Sequence, residues 1–395
     1  MEEWKQYKLG EVAIPVKDKI ETSCLDSTSY ISTENMLPDK GGVTLSSSIP
    51  SSNAIMFKNE DILISNIRPY FRKIWRADKV GGCSTDIICL RASNVVEPLF
   101  LYYHLSQDLF FDYAMQGSKG TKMPRGDRNQ IMQWPILLPS KSEQQKIAST
   151  LLVLDDKIEL NRRINDNLEQ QAQALFKSWF VDNYDPLWVR TKLSDVANFV
   201  GGYSYKGTEL VNSSDTAMVT IKNFHRNGGF KIEGFKDITP SSNLQDCHCV
   251  DLFDILVAHT DLTQNAEVIG NAEVLLTYGK YKHVIFSMDL VKVVPCDNFP
   301  YRFLLAAMLR NKFFKAHCLG YVNGTTVLHL SKKALPEFEV RIPYETEAKT
   351  MNDALAPYYK KMAEVLQEND RLINLRDTLL PKLMSGELKI DKVNR

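Results

Sequence analysis

Residues 142–171 read SEQQKIASTLLVLDDKIELNRRINDNLEQQ, and their apolar positions step by four and three. From Ile147 the series runs through Leu151, Leu154, Ile158, Asn161, Asn165, Leu168, Ala172, Leu175 and Trp179. That spacing is a heptad seam, which marks a long helix packed on another helix. Ser140 with Glu143 has the form of a capping box after Pro139, and Pro186 marks a stop. A second series near the C-terminus runs Met351, Leu355, Tyr358, Met362, Val365, Asn369, Leu372, Arg376, Leu379, Leu383. There Pro357 must kink the helix or sit in the first turn of its main part, while Pro381 and Gly386 bound its end. The stretch read as helix is therefore 358–380. Pairing the midpoints of two antiparallel helices sets Asn161 opposite Asn369. A buried Asn pair costs stability but fixes register. The alternative leaves both at the seam edge, bonded to water.

Working outward, the chain repeats itself. Lys8-Leu9-Gly10-Glu11-Val12-Ala13 is echoed by Lys192-Leu193-Ser194-Asp195-Val196-Ala197 at an offset of 184, and Asp61-Ile62-Leu63-Ile64 by Asp254-Ile255-Leu256-Val257. Phe110-Phe111 with Gly117 and Gly120-Thr121 is echoed by Phe313-Phe314 with Gly320 and Gly324-Thr325. Ile136-Leu137-Leu138-Pro139 returns as Val340-Arg341-Ile342-Pro343 at an offset of 204, so the second copy carries insertions. Two diverged copies of one module follow, each a globular part and then a long helix. The globular parts read as mixed α/β, with strands at 54–57, 61–65, 85–91, 217–221, 254–259 and 283–294 and helices near 99–115 and 301–317.

Composition narrows the function. The chain has 395 residues, 44% hydrophobic and 24% charged, with 48 basic and 48 acidic side chains and a net charge of zero. It is a multi-domain globular protein and not a uniformly basic polyanion binder, though local basic surfaces remain open. No apolar run approaches the ~18–20 residues that span a bilayer, and no export signal opens the sequence. Seven cysteines read as reduced thiols in a cytosol. Phosphate-loop, dinucleotide and nucleophile-elbow motifs are missing. Cys247-His248-Cys249 lacks a second pair at zinc spacing and reads as a partly buried pair of thiols; no metal site is assigned. Asp185-Pro186-Leu187-Trp188 only partly matches the Asp/Asn-Pro-Pro-aromatic motif of amino-methyltransferases, and a helix-terminating proline is the simpler reading. A non-catalytic binding protein fits better than an enzyme.

The duplicated module, residues 142–171, LLPKLMSGEL at 379–388, DILVAHTDLTQ at 254–264 and the loops GSKGT at 117–121 and GYVNGTT at 320–326 together resemble the specificity subunit of Type I restriction–modification systems. The resemblance covers essentially the whole chain. Its most specific part holds Glu143-Gln144-Gln145 and Leu154-Asp155-Asp156-Lys157-Ile158; the second copy has drifted there to Glu347-Ala348-Lys349. The resemblance implies an α+β fold: two α/β target-recognition domains in a pseudo-twofold arrangement, at 1–139 and 185–343, joined by two long antiparallel coiled-coil helices at 140–184 and 344–395. It implies that each domain reads half of a bipartite site on double-stranded DNA. Two methyltransferase subunits, carrying S-adenosylmethionine and methylating adenine N6, would dock on the helices, and a restriction and translocase subunit would join them. This chain would bind no cofactor and work in the cytoplasm. A helix of ~35 residues at ~1.5 Å each is ~50 Å long, more than one turn of B-DNA at ~34–36 Å, so the helices would set the half-site spacing.

Base readout needs Arg, Lys, Asn, Gln or hydroxyls, and phosphate contact needs cations or backbone amides. In the first domain Lys119, Thr121, Lys122, Arg125 and Arg128 crowd one loop, and Asn66, Arg68, Tyr70, Arg72 and Lys73 form a second basic-aromatic cluster. In the second the candidates are Tyr203, Tyr205, Lys206, Lys222, Asn223, His259, Thr260, Thr263, Gln264, Asn265, Asn323, Thr325, Thr326 and His329. Against each stands a plain alternative: solvated loop lysines, a satisfied core-edge His259, a turn-capping Asp261. Helix–helix or partner contact is assigned to Leu151, Leu154, Ile158, Asn161, Asn165, Leu168, Leu175, Trp179, Met362, Val365, Asn369, Leu372 and Leu379. Further apolar residues, Leu152, Ile164, Phe176, Phe180, Leu366, Ile373 and Leu380, exceed one seam and suggest partner helices, or burial on the chain's own domains. The competing functional readings are a self-sufficient methyltransferase, disfavoured by the missing motifs, and a coiled-coil scaffold or regulator without sequence-specific DNA binding.

Overall fold

The computed structural model describes residues 4–51, 53–120 and 122–390. It divides into two compact units, 1–157 with 373–395, and 158–372, so the boundary falls inside both long helices.

In the first unit the central sheet is antiparallel, in the order Ala13–Pro15, Ile87–Ala92, Ile62–Ser65, Ile74–Arg76. Ile62–Ser65 is buried at every residue because both faces are covered. Ile62 and Ile64 meet the core that holds the helices Pro98–Leu105 and Asp108–Gln116, while Leu63 turns to a second core around Phe57, Cys83 and Trp75. A two-sided strand has no polar face to show, which is why its sequence reads as a continuous apolar run. The second sheet runs Lys19–Ile20, Ala54–Phe57, Gly81–Cys83, Tyr30–Ile31, with its last pair parallel.

The second unit repeats this order: Ala197–Gly201, Leu290–Pro295, Ile255–Ala258, Ala272–Val274. Ile255 and Val257 again face one core, and Leu256 and Ala258 the other. Thr216–Val219 lies parallel to His283–Phe286, as Tyr30–Ile31 does to Gly81–Cys83. Small features repeat too. Glu60 and Phe253 have positive φ just before the central strand, and Asp61 and Asp254 accept from Lys58 N and Asp251 N. Arg91 grips Asp61 with two bonds of 2.8 and 2.7 Å, and Lys292 stands 3.5 Å from Asp254. Two expectations are corrected. The strand read over 283–294 is two strands separated by a turn at 287–289, and each helix read over 99–115 and 301–317 is a pair, broken at 106–107 and 310–311.

The first long helix is α-helical over Lys141–Lys177 and ends in a π turn, Ser178–Asp182. Ser140 Oγ accepts from Glu143 N at 3.3 Å. Gln144 is buried: its Oε1 accepts from Glu97 N at 2.8 Å and its Nε2 donates to Pro139 O at 2.9 Å, fastening the helix start to its domain. The second long helix is continuous over Glu345–Met384, through both prolines. Both proline side chains lie on the exposed face, where the carbonyl that each deprives of its amide can meet water, so the usual penalty is reduced. The shorter helix read over 358–380 is therefore extended at both ends. Asp185 forms a turn, its Oδ1 accepting from Leu187 N at 2.8 Å.

Within the second unit Asn161 and Asn369 are buried and meet side chain to side chain, so the water-bonded alternative does not hold. Ile158, Met362 and Val365 are buried there, and Leu168 is half-buried. Much of the apolar surplus is taken up by the chain itself. Leu175, Phe176, Trp179 and Phe180 pack on the second unit's core, and Leu379, Leu380, Leu383 and Met384 on the first unit's. No helix among the described residues is long and apolar enough to cross a membrane.

Candidate nucleic-acid interface

The first unit brings its two sequence-predicted clusters together. Leaving the central strand, the chain passes Asn66–Arg68 and meets the second loop through Gly126 N to Asn66 O at 3.1 Å and Arg68 N to Pro124 O at 2.7 Å. Ile67 bridges Arg125, and Arg125 bridges Lys119, so three short segments lie side by side. Asn66 itself is buried, with Oδ1 lacking a partner among the described residues, which removes it from the exposed readers. Arg68 and Arg72 flank the turn Pro69–Phe71 at φ 49° and 51°. A left-handed non-glycine residue costs about 1–2 kcal/mol, and such strain concentrates at functional loops. The turn exposes Tyr70 and Phe71, which are 47% and 36% accessible. Phe71 escaped the sequence reading because an aromatic residue reads first as core.

The cations differ in freedom. Lys73 is half-buried, donating from Nζ to Thr33 O at 2.7 Å, and desolvation lowers its ammonium. Arg72 lies 3.4 Å from Asp108. Arg125 is held 3.2 Å from Asp86, and Arg128 donates to Thr85 O. The Lys119 side chain is 86% accessible, and Lys122 is exposed. Thr121 lies outside the described residues.

In the second unit the corresponding junction is a small sheet. Thr260–Asp261 pairs with Leu328–Leu330, which pairs with Val322–Asn323. Gln264 Nε2 donates to Thr325 O, tying the 261–268 turn to the glycine loop. Asn323, Thr325, Thr326, His329, Gln264 and Asn265 are exposed. Asp261 is buried and caps its turn, accepting from Thr263 N and Val268 N at 2.8 Å each. Thr263 is half-buried in that cap, its Oγ1 also donating to Asp261. His259 is half-buried at the core edge, where desolvation lowers its imidazole.

In the second unit three further candidates are corrected, as Asn66 is in the first. Tyr203 is buried, its hydroxyl fixed by Glu209 and Ser241 at 3.1 and 2.9 Å. Asn223 is fully buried, closing a turn by accepting from Thr220 N and donating to Lys231 O. Thr260 is buried and donates to Asp289 at 3.0 Å. Each is a polar side chain consumed internally, because a buried polar group must find a partner. Of their neighbours, Lys206 and Lys222 are exposed, and Tyr205 is half-buried under Lys236. Cys247 and Cys249 are both exposed, not partly buried; His248 between them accepts through Nδ1 from Gln245 N at 3.2 Å.

Comparison with known proteins agrees with this arrangement. The family described as Type I restriction modification DNA specificity domain matches residues 1–170. The chain is 25% identical to the HindI Type I restriction enzyme specificity subunit of Haemophilus influenzae, over 98% of this chain and 100% of that protein. It is 23% identical to the MjaIX specificity subunit of Methanocaldococcus jannaschii, covering 74% and 70%. The crystal structure of the Type I restriction-modification S subunit from M. genitalium shares the fold, at a TM-score of 0.57, 18% identity and 96% coverage of both chains. With its duplicated sheets, paired long helices and repeated loop junction, the chain is similar along its whole length to specificity subunits of Type I restriction–modification systems, and its residues 1–170 match their DNA specificity domain.

Proposed function

We propose that this chain is the DNA-reading and scaffold subunit of a Type I restriction–modification complex, with no catalysis of its own. Each module reads one half of a bipartite double-stranded site through its loop junction. The long helices set the half-site spacing and hold two methyltransferase subunits, which carry S-adenosylmethionine; a restriction and translocase subunit completes the assembly in the cytoplasm. The observation that carries this reading is that the same strand order recurs in both units, with a polar loop junction at the same place in each. A scaffold with no DNA to read leaves that second junction without a purpose.

The test is to express the chain with its methyltransferase subunits in a host without adenine methylation and to map N6-methyladenine genome-wide. A split motif that appears only when this chain is present supports the reading, and no new methylation from a soluble complex overturns it. Inserting one heptad into each long helix should lengthen the unread gap between half-sites, and an unchanged gap would refute the spacing role.

A further inference from the structure

The two junctions can be superposed strand by strand from their pairing alone. In the first unit Arg125 is the middle residue, bridging Ile67 on one side and Lys119 on the other. In the second His329 is the middle residue, paired with Thr260 on one side and Asn323 on the other. Both alternate in the same way: Arg125 is exposed between buried Pro124 and Gly126, and His329 is exposed between buried Leu328 and Leu330. A strand sends successive side chains to opposite faces, so at the same point of each module one polar head group stands out from an otherwise inward-facing segment.

An aspartate stands directly before the neighbouring sheet strand in each module, Asp86 before Ile87–Ala92 and Asp289 before Leu290–Pro295. Asp86 lies 3.2 Å from one terminal nitrogen of Arg125, which tethers that end of the guanidinium and leaves other N–H donors free. Asp289 instead accepts from Thr260 at 3.0 Å and Ser287 at 3.4 Å. The repeated frame therefore presents a tethered guanidinium in one module and an exposed imidazole in the other. A planar head group standing out from a paired strand suits base-edge readout, whereas an exposed lysine such as Lys119, 3.8 Å from Asp127, offers a point charge that suits a phosphate.

We infer that Arg125 and His329 are equivalent base-reading residues, each determining one position of its own module's half-site. This rests on the DNA-reading function proposed above. The test uses the complete methyltransferase complex and the same methylation map. If the wild-type complex yields no split motif, the functional reading itself fails. Given a wild-type motif, Arg125→Ala should relax a single position in one half, His329→Ala a single position in the other half, and the opposite half should stay unchanged each time. Discrimination at the relaxed position should fall about tenfold to a hundredfold. Motifs that both variants leave intact, or variants that alter both halves together, overturn the inference. If an alanine variant does not assemble, Arg125→Lys and His329→Gln keep a polar head in place; a changed base preference confined to one half supports the inference, and an unchanged motif overturns it.

Discussion

Asn161 donates from Nδ2 to Asn369 Oδ1 at 2.9 Å inside a seam where both side chains are buried. Asn161 Nδ2 also lies 2.9 Å from Glu368 Oε2, and Asn369 Nδ2 donates to Ile158 O at 3.3 Å. Replacing Asn161 alone by leucine strands the Asn369 carbonyl without that donor and should destabilise by about 1–3 kcal/mol. Replacing both by leucine should restore or raise stability while loosening register. Thermal melting of the two variants checks the order, and a single variant more stable than wild type would contradict it.

Arg310 lies 2.8 Å from Glu169 on the first long helix and 3.1 Å from Glu273 on the sheet, with all three side chains largely buried. Arg310→Met leaves two carboxylates facing each other and should cost about 3–5 kcal/mol. Urea denaturation measures the loss. Replacing all three by apolar residues should recover part of it, since the desolvation cost then disappears.

Pro357 lies within the second long helix with its ring exposed. Pro357→Ala returns an amide to the Asp353 carbonyl and removes the ring clash. It should stabilise by about 1–2 kcal/mol after allowing for the freer unfolded chain. A rise in melting temperature tests this.

Burial pushes the His104 imidazole down to about 4, and its Nδ1 accepts from Trp134 Nε1 at 3.3 Å. The unfolded chain, with a histidine near 6.5, binds the proton more readily. Stability from this site is therefore complete above about pH 6.5 and is lost as pH falls toward about 4. Between pH 6.5 and 5 the loss should reach about 1–2 kcal/mol. Denaturation midpoints across that range measure it, and His104→Gln should flatten the slope.

Lys119 and Lys122 are exposed on the first unit's glycine loop. Replacing either by alanine should weaken duplex binding alike for all sequences and reduce the slope of log affinity against log salt by about one. Titrations at several salt concentrations separate this from loss of base reading.

Much of the architecture was legible in the sequence because it rests on periodicity. The heptad series from Ile147 to Trp179 specifies a helix and a partner, and places Asn161 opposite Asn369. The apolar runs at Ile62–Ser65 and Ile255–Ala258 specify strands covered on both faces. The repeated landmarks announce one module twice. These are local signals, set by the rise and twist of the backbone.

What the tertiary structure decided is where polar side chains spend their hydrogen bonds. Tyr203, Asn223 and Thr260 have the chemistry of DNA readers, yet each is folded inward to satisfy a loop. Phe71 has the chemistry of a core residue, yet a turn between two left-handed arginines holds it in solvent. Pro357 reads as a kink or a first-turn residue, yet the helix runs on continuously through it from Glu345 to Met384. Arg125 and His329, at unrelated distances from their neighbours in sequence, become equivalent only once the sheets pair. Residue type fixes what a side chain can donate or accept; only the long-range pairing of strands and loops fixes whether those groups face a neighbour or the solvent.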